Sequence, residues 1–169
     1  MNWKAKILRA LAFVTLLPAL FGTPAFGDEF CSGLQRIVSD IGNRFENLRG
    51  DFRSLDHDYY GTVEMGPLNF CVIRISNNKL SAQYSCMLDS GSDDAEEANA
   101  RWQELDSEIV ACLGSKIKRD ATIEHAFHYR TVPDGDRLTL AYWLPDDEDN
   151  DEKKTYMFAF RADYYNPNS

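Results

Sequence analysis

The sequence predicts an α+β fold: two helices packed on one face of an antiparallel sheet, in the order helix, hairpin, helix, three strands, held by two disulfides. Three observations predict it. Apolar residues recur at helical spacing in two stretches, the period changes to two between and after those stretches, and four Cys fall on the predicted core faces. With 44% hydrophobic and 27% charged residues in 169, the composition excludes a collagen-like, coiled-coil or wholly disordered chain.

Residues 1–27 read as a secretory signal peptide. Lys4, Lys6 and Arg9 precede the apolar run from Ala10 to Leu17, and no Asp or Glu occurs before Asp28. Ala25 and Gly27 form a small-x-small site, which places cleavage between Gly27 and Asp28. A spanning helix wants about 20 apolar residues, and this stretch is shorter and interrupted by Pro18 and Pro24. Cys31 follows Asp28, Glu29 and Phe30, so no lipobox is present, and Arg9 stands alone where a twin-arginine signal needs a pair. The expected location is therefore the periplasm or the medium, with no membrane attachment after cleavage.

Residues 28–165 are expected to form one domain. Cys31, Leu34, Val38, Ile41, Phe45, Leu48 and Phe52 mark one apolar stripe of a first helix, with Asp28 and Glu29 at its start and Gly50 placed to stop it. A short strand is expected at Tyr60–Met65. Asn77-Asn78 then separates two runs of period two, and Asn tolerates the positive φ of a tight hairpin turn. A two-residue turn there sets Ser76 opposite Lys79 and Cys71 opposite Tyr84. One face collects Cys71, Ile73, Ile75, Leu80, Ala82, Tyr84 and Cys86, and the other Arg74, Gln83 and Ser85.

Ser92 or Asp93 is positioned to cap a second helix, whose stripe is Ala95, Ala98, Trp102, Leu105, Ile109 and Cys112, and Gly114 ends it. Three strand-like runs follow, at 121–130, 137–144 and 154–162, with Pro133-Asp134-Gly135 as a turn. Their core faces are Ile123, Phe127 and Tyr129; Leu138, Leu140, Tyr142 and Leu144; and Tyr156, Phe158 and Phe160. The tail 166–169 is expected to fray.

An even number of Cys in an exported chain implies disulfides, and three pairings are open. If each helix runs antiparallel to the strand next to it, Cys31 and Cys112 meet near the hairpin turn. Cys71 and Cys86 then meet at its open end, one diagonal step out of register, which is farther than a bridge prefers. The expected pairs are Cys31 with Cys112 and Cys71 with Cys86, and their role is structural.

The net charge of −9 opposes binding to nucleic acid or anionic membranes, because both rely on releasing counterions from a polyanion. Loss of the three basic residues of the leader makes the mature protein more acidic still. No cofactor or metal is expected. His125 and His128 lie in a strand, where residues three apart point to opposite faces, so core packing is expected for the first and a solvent position for the second. Asp147, Asp149 and Asp151 mimic the first ligands of a calcium loop, but Glu152 stands where that loop needs Gly and Phe158 where it needs Glu. Asp56-His57-Asp58 offers a base between two acids, and no nucleophile motif accompanies it.

Trp143 faces away from the core if Leu140 and Tyr142 face inward, and Thr139, Ala141, Met157 and Ala159 share its side. Asp146, Asp147, Glu148, Asp149 and Asp151 follow in the next loop. An aromatic anchor rimmed by acid suits a basic protein. The expected function is thus a non-catalytic binding protein, such as an inhibitor or immunity protein for a cationic partner. A small hydrolase or metal-dependent enzyme using Asp56, His57 and Asp58, and a passive envelope protein, are the alternatives. Mass spectrometry of the exported protein is expected to find Asp28 as the first residue and no free thiol; retention of Met1–Gly27 would contradict the leader assignment.

Overall fold

The computed structural model describes residues 27–54, 58–76, 80–123, 125–132, 136–143 and 155–165. Helix α1 spans Gly27–Ser39 and α2 spans Ala95–Leu113. Eight strands accompany them: β1 Arg49–Ser54, β2 Asp58–Gly61, β3 Phe70–Ile75 and β4 Ser81–Asp89 after α1, then β5 Ile117–Ile123, β6 Ala126–Thr131, β7 Arg137–Trp143 and β8 Met157–Tyr165 after α2. They form one antiparallel sheet in the order β1-β2-β3-β4-β8-β7-β6-β5. The fold is therefore α+β with two disulfides, but the order helix, hairpin, helix, three strands is corrected to helix, four strands, helix, four strands.

This order is that of two similar halves joined edge to edge through β4 and β8. The buried residues of the first half's helix and following turn, Phe30, Leu34, Ile37, Ile41 and Phe45, have the same spacing as Ala98, Trp102, Leu105, Ile109 and Leu113 in the second. At the junction the ladder sets Tyr84 opposite Ala162 and Cys86 opposite Phe160, a large residue against a small one on each side. No residue-level repeat is visible in the sequence, because the matched positions share burial and not identity.

The first helix is shorter than its stripe. After Ser39 the chain enters two short 3₁₀ turns, Ile41–Asn43 and Glu46–Leu48, with Arg44 and Phe45 in the left-handed region at φ 57 and 58. The buried Asp40 causes the break. Its carboxylate accepts from the side chains of Asn43 and Asn47 and from the Asn47 amide, giving the backbone an alternative to the next helical turn. Ile41, Phe45 and Leu48 still reach the core, whereas Phe52 lies in β1 and is 54% exposed. Covering of the inner face is thus shared. The two helices touch each other, and these turns and the segment holding Val63, Met65 and Leu68 seal the rest.

The hairpin register also differs, by two residues. Ser76 lies opposite Ser81, with the Ser76 amide donating to the Ser81 carbonyl, so Asn77-Asn78 lies within a longer connection whose residues 77–79 fall outside the described set. Cys71 then stands directly opposite Cys86, without the expected diagonal. The change preserves which residues face inward, because a two-residue slip keeps the parity of the strand. Disulfides join Cys71 to Cys86 and Cys31 to Cys112, the latter tying α1 to α2. On the chain-entropy account each stabilises by about 3 kcal/mol or more.

Asp94, not Ser92 or Asp93, caps α2, accepting from the amides of Glu96 and Glu97, and Gly114 ends the helix at φ 51. The expected strand at 121–130 is two strands with a turn at His125. A register shift between Arg119 and Ala121 reverses the facing of the end of β5, which places Ile123 on the outer face, 58% exposed, and not in the core. The expected strand at Tyr60–Met65 is β2, which ends at Gly61. Tyr142 lies in β7 opposite Phe158, and its side chain, together with Leu144, the turn 133–135 and the tail 166–169, lies outside what the structure describes.

Two close approaches make glycine obligatory. A Cβ on Gly33 would overlap the Glu64 carbonyl oxygen, and one on Gly61 would overlap the Tyr84 hydroxyl and ring. Gly61→Ala should therefore cost about 1–3 kcal/mol in a denaturant titration, while Gly42→Ala, which meets nothing within 4 Å, should stay within about 0.5 kcal/mol. The Tyr84 hydroxyl donates to the Val63 carbonyl at 2.7 Å and accepts from its amide at 3.1 Å. Burial pushes this phenol up to about 12, against the lowering effect of the Val63 hydrogen bond. The unfolded chain ionises near 10 and the folded one later, so this contribution to stability is intact below pH 10 and is lost as the pH rises towards about 12. Comparison of the native protein with Tyr84→Phe by pH-dependent unfolding should show the alkaline loss shrinking in the variant.

Candidate functional site

The sheet has two unlike faces. Inward lie Ile73, Tyr84, Ala162, Leu138 and Tyr129 in one cross-strand row, and Cys71, Cys86, Phe160, Leu140 and Phe127 in the next, all buried. Outward the ladders align three further rows. The first is Phe70, Met87, Ala159, Ala141 and Ala126. The second is Tyr60, Val72, Ser85, Arg161, Thr139 and His128. The third is Asp58, Arg74, Gln83, Asp163, Arg137 and Arg130. Beyond the first row Met157 lies beside Trp143.

No residue of the first row, nor Met157 or Trp143 beyond it, joins the core cluster. Tyr60 is 45%, Phe70 42% and Trp143 39% exposed, so three aromatics meet water on one sheet face. Tyr60 and Phe70 stand on β2 and β3, and Trp143 stands on β7, with β4 and β8 between them. The Arg53 guanidinium lies 5.9 Å from the Tyr60 ring and 5.4 Å from that of Phe70, which fixes their orientation. Further along the strands the charges are matched within the face: Arg74 with Asp58, Arg161 with Asp163, and Arg130 with Asp120.

Trp143 is where the sequence placed it, and Met157 and Ala159 share its face. Its acidic neighbours Asp146, Asp147, Glu148, Asp149 and Asp151 lie outside the described residues, as do Asp56 and His57. Asp58 is buried, and its two oxygens accept from Arg74 Nε at 3.1 Å and Nη2 at 3.2 Å, so this carboxylate is engaged by a structural ion pair. His125 is an exposed turn residue, not a core one, since β5 and β6 meet there. His128 is half-buried on the outer face with Nδ1 3.2 Å from Thr139 Oγ1. Among the described residues no group of three His, Cys, Asp or Glu is placed to hold a metal ion, and no helix is long and apolar enough to cross a membrane. Sequence reasoning missed Arg53, Tyr60 and Phe70, because only the strand register sets Tyr60 opposite Val72 and Phe70 opposite Met87, with Arg53 over both rings.

Two other places could hold chemistry. An open cleft of about 520 Å³ lies between the chain at Ser90–Ser92 and the start of α2, but its polar groups pair with one another. Ser92 donates to Glu97 at 2.7 Å and Arg101 to Glu104 at 2.8 Å. On the inner face, buried Asp106 accepts from Tyr129 and from Arg119, and Arg119 lies over the Phe127 ring, which stacks on Trp102 at 4.0 Å. Burial first, and then the Asp106 carboxylate, push the Tyr129 phenol up, so it stays a neutral donor. This cluster fastens β5 and β6 to α2. Asp106→Ala should cost about 3 kcal/mol in chemical unfolding, since it leaves a buried hydroxyl and a guanidinium without their acceptor, whereas Tyr129→Phe should cost nearer 1 kcal/mol.

Comparison of the chain with family models, with curated proteins and with solved structures finds no match.

Proposed function

We propose that this is an exported, acidic, non-catalytic binding protein that engages a cationic protein, in the manner of an inhibitor or immunity protein, through the outer sheet face at Trp143. The observation that carries this reading is the exposure of Trp143 on a strand held by ladders on both sides, beside Met157 and in line with a row of small apolar residues. A rigid aromatic on a preformed face binds with little ordering cost. The acidic residues Asp146, Asp147, Glu148, Asp149 and Asp151 follow it in sequence and favour a basic partner by steering its approach. Two disulfides fit an oxidising compartment, and the leader directs the chain to the periplasm or the medium.

The hydrolase alternative rests on Asp56, His57 and Asp58. The two-point ion pair of Asp58 with Arg74 weighs against it, because that carboxylate is not available to orient or exchange a proton with His57. Affinity measured against basic proteins secreted by the same cells tests the reading. Trp143→Ala should weaken binding by about 2 kcal/mol with an unchanged melting temperature, and neutralising the acidic run should lower the association rate and its salt dependence. Turnover of a broad hydrolase substrate that disappears in His57→Ala would overturn the proposal.

A further inference from the structure

The outer face is complementary to itself. Its row of Phe70, Met87, Ala159 and Ala141 is bulky on β3 and β4 and small on β8 and β7, and the change falls at the β4–β8 ladder in the middle of the sheet. Consider two copies face to face, related by a two-fold axis that lies between them, parallel to the strands and over that ladder. The axis exchanges β4 with β8 and β3 with β7. Met87 of each copy then meets Ala159 of the other, and Phe70 meets Ala141. Facing sheets pack about 10 Å apart, so opposed side chains share a fixed depth. Two bulky residues overfill it and two alanines leave a void, whereas large against small fills it.

The neighbouring rows agree with the same axis. It sets Tyr60 over His128, Val72 over Thr139 and Asp58 towards Arg130. Arg74 and Arg137 are brought together, but Arg74 already carries Asp58, and Arg137 stands opposite Asp163 in the ladder. Twisted sheets pack with their strands turned by about 30°, which leaves the pairs nearest the axis in place and moves the distant ones to the rim. Net charge does not oppose the contact. The chain carries −9, yet the outer rows hold Arg74, Arg130, Arg137 and Arg161 against Asp58 and Asp163, so the acidic surplus lies elsewhere and repels across a distance that salt screens.

The size of the face sets the strength. From β2 to β6 it crosses five strand spacings, about 24 Å, and from Arg137 to Trp143 it runs about 20 Å. Two such outlines make roughly 1,000 Å², near the lower limit of a specific interface, so the association is reversible. Edge-to-edge pairing is the competing mode, and the sheet opposes it: β1 carries two register shifts, and β5 carries one beside Lys118, Arg119 and Asp120.

We infer that two copies of this chain pack outer face to outer face as a reversible dimer, with Phe70 and Met87 of each seated on Ala141 and Ala159 of the other. The dimer covers the face that carries Trp143, so it competes with the cationic partner. That consequence rests on reading the face as the binding surface; the pairing itself does not.

Sedimentation of the oxidised mature protein over a concentration series should show a monomer–dimer equilibrium in the micromolar range. Ala141→Phe sets ring over ring and Phe70→Ala sets alanine over alanine, so each should weaken dimerisation by about tenfold or more. The double variant restores large on small across the axis and should return the dimer to within about threefold of the native protein. Within one copy β4 and β8 separate Phe70 from Ala141 by about 14 Å, so contact inside the monomer does not account for the rescue. All three variants should keep the native circular dichroism, which separates loss of the dimer from misfolding. A chain that stays monomeric at millimolar concentration would overturn the inference. Single variants that dimerise like the native protein, or a double variant no better than either single one, would overturn it too. Each of these results leaves the cationic-partner reading standing, because that reading is decided by partner affinity in Trp143→Ala.

Discussion

The ladder between β4 and β8 is the interaction on which the rest of the structure depends. It pairs the chain from Ser81 to Asp89 with the chain from Tyr165 back to Met157 and is the one ladder that joins the two halves of the sheet. Without it each half is a four-stranded sheet with a hydrophobic inner face too wide for one helix. With it, Tyr84, Ala162, Cys86 and Phe160 interlock at the centre, and both helices serve a common core. The pairing is also the most non-local in the chain, so its loop-closure cost must be met by the packing it makes possible. The Cys31–Cys112 bridge reduces that cost by linking the helices of the two halves.

Once the halves are joined, the inner face is covered by several elements together. α1, α2, the 3₁₀ turns after α1 and the segment at Val63–Leu68 meet over it. Asp106 shows how far this side is specified: a buried carboxylate with Tyr129 and Arg119 as donors and an aromatic stack beside it fixes where α2 crosses the outermost strands. Among the described residues nothing comparable lies over the outer face. Its ion pairs are local, two between neighbouring strands and one within β8, and in each the arginine is largely in solvent, so they contribute little to stability.

Much of the inner face was legible in the sequence, because strand parity survives errors of register. The hairpin slipped by two residues from the expected pairing, yet Cys71, Ile73, Ile75, Ala82, Tyr84 and Cys86 all remained inside. What escaped was whatever broke a period. Asp40 ended α1 while the apolar stripe ran on, the shift at Asp120 turned Ile123 outward, and the edge strands β1 and β5 bury too little to show an alternation. The site was legible only at Trp143, through strand parity: Leu138 and Leu140 face inward, so Thr139, Ala141 and Trp143 face outward. Phe70, Tyr60, Ala159 and Ala126 come from four other strands, and no local pattern can align residues that far apart.

The contrast between the faces bears on function. A sheet face that only needs to meet water is served by Thr, Lys, Glu and Gln, and the third outer row of this sheet, with Arg74, Gln83, Asp163 and Arg137, is of that kind. The first row, two residues away on the same strands, is Phe70, Met87 and three alanines, with Met157 and Trp143 beyond it. β-propensity does not account for the alanines, since Ala is a poor strand former, and core packing does not, since they face away from the core. Small residues on a strand's exposed side are useful where another backbone must come close. Under the proposed reading, Phe70 at one end of the row and Trp143 beyond Ala141 on β7 are the groups that a docked partner would desolvate, and the two compositions on this face then reduce to one requirement.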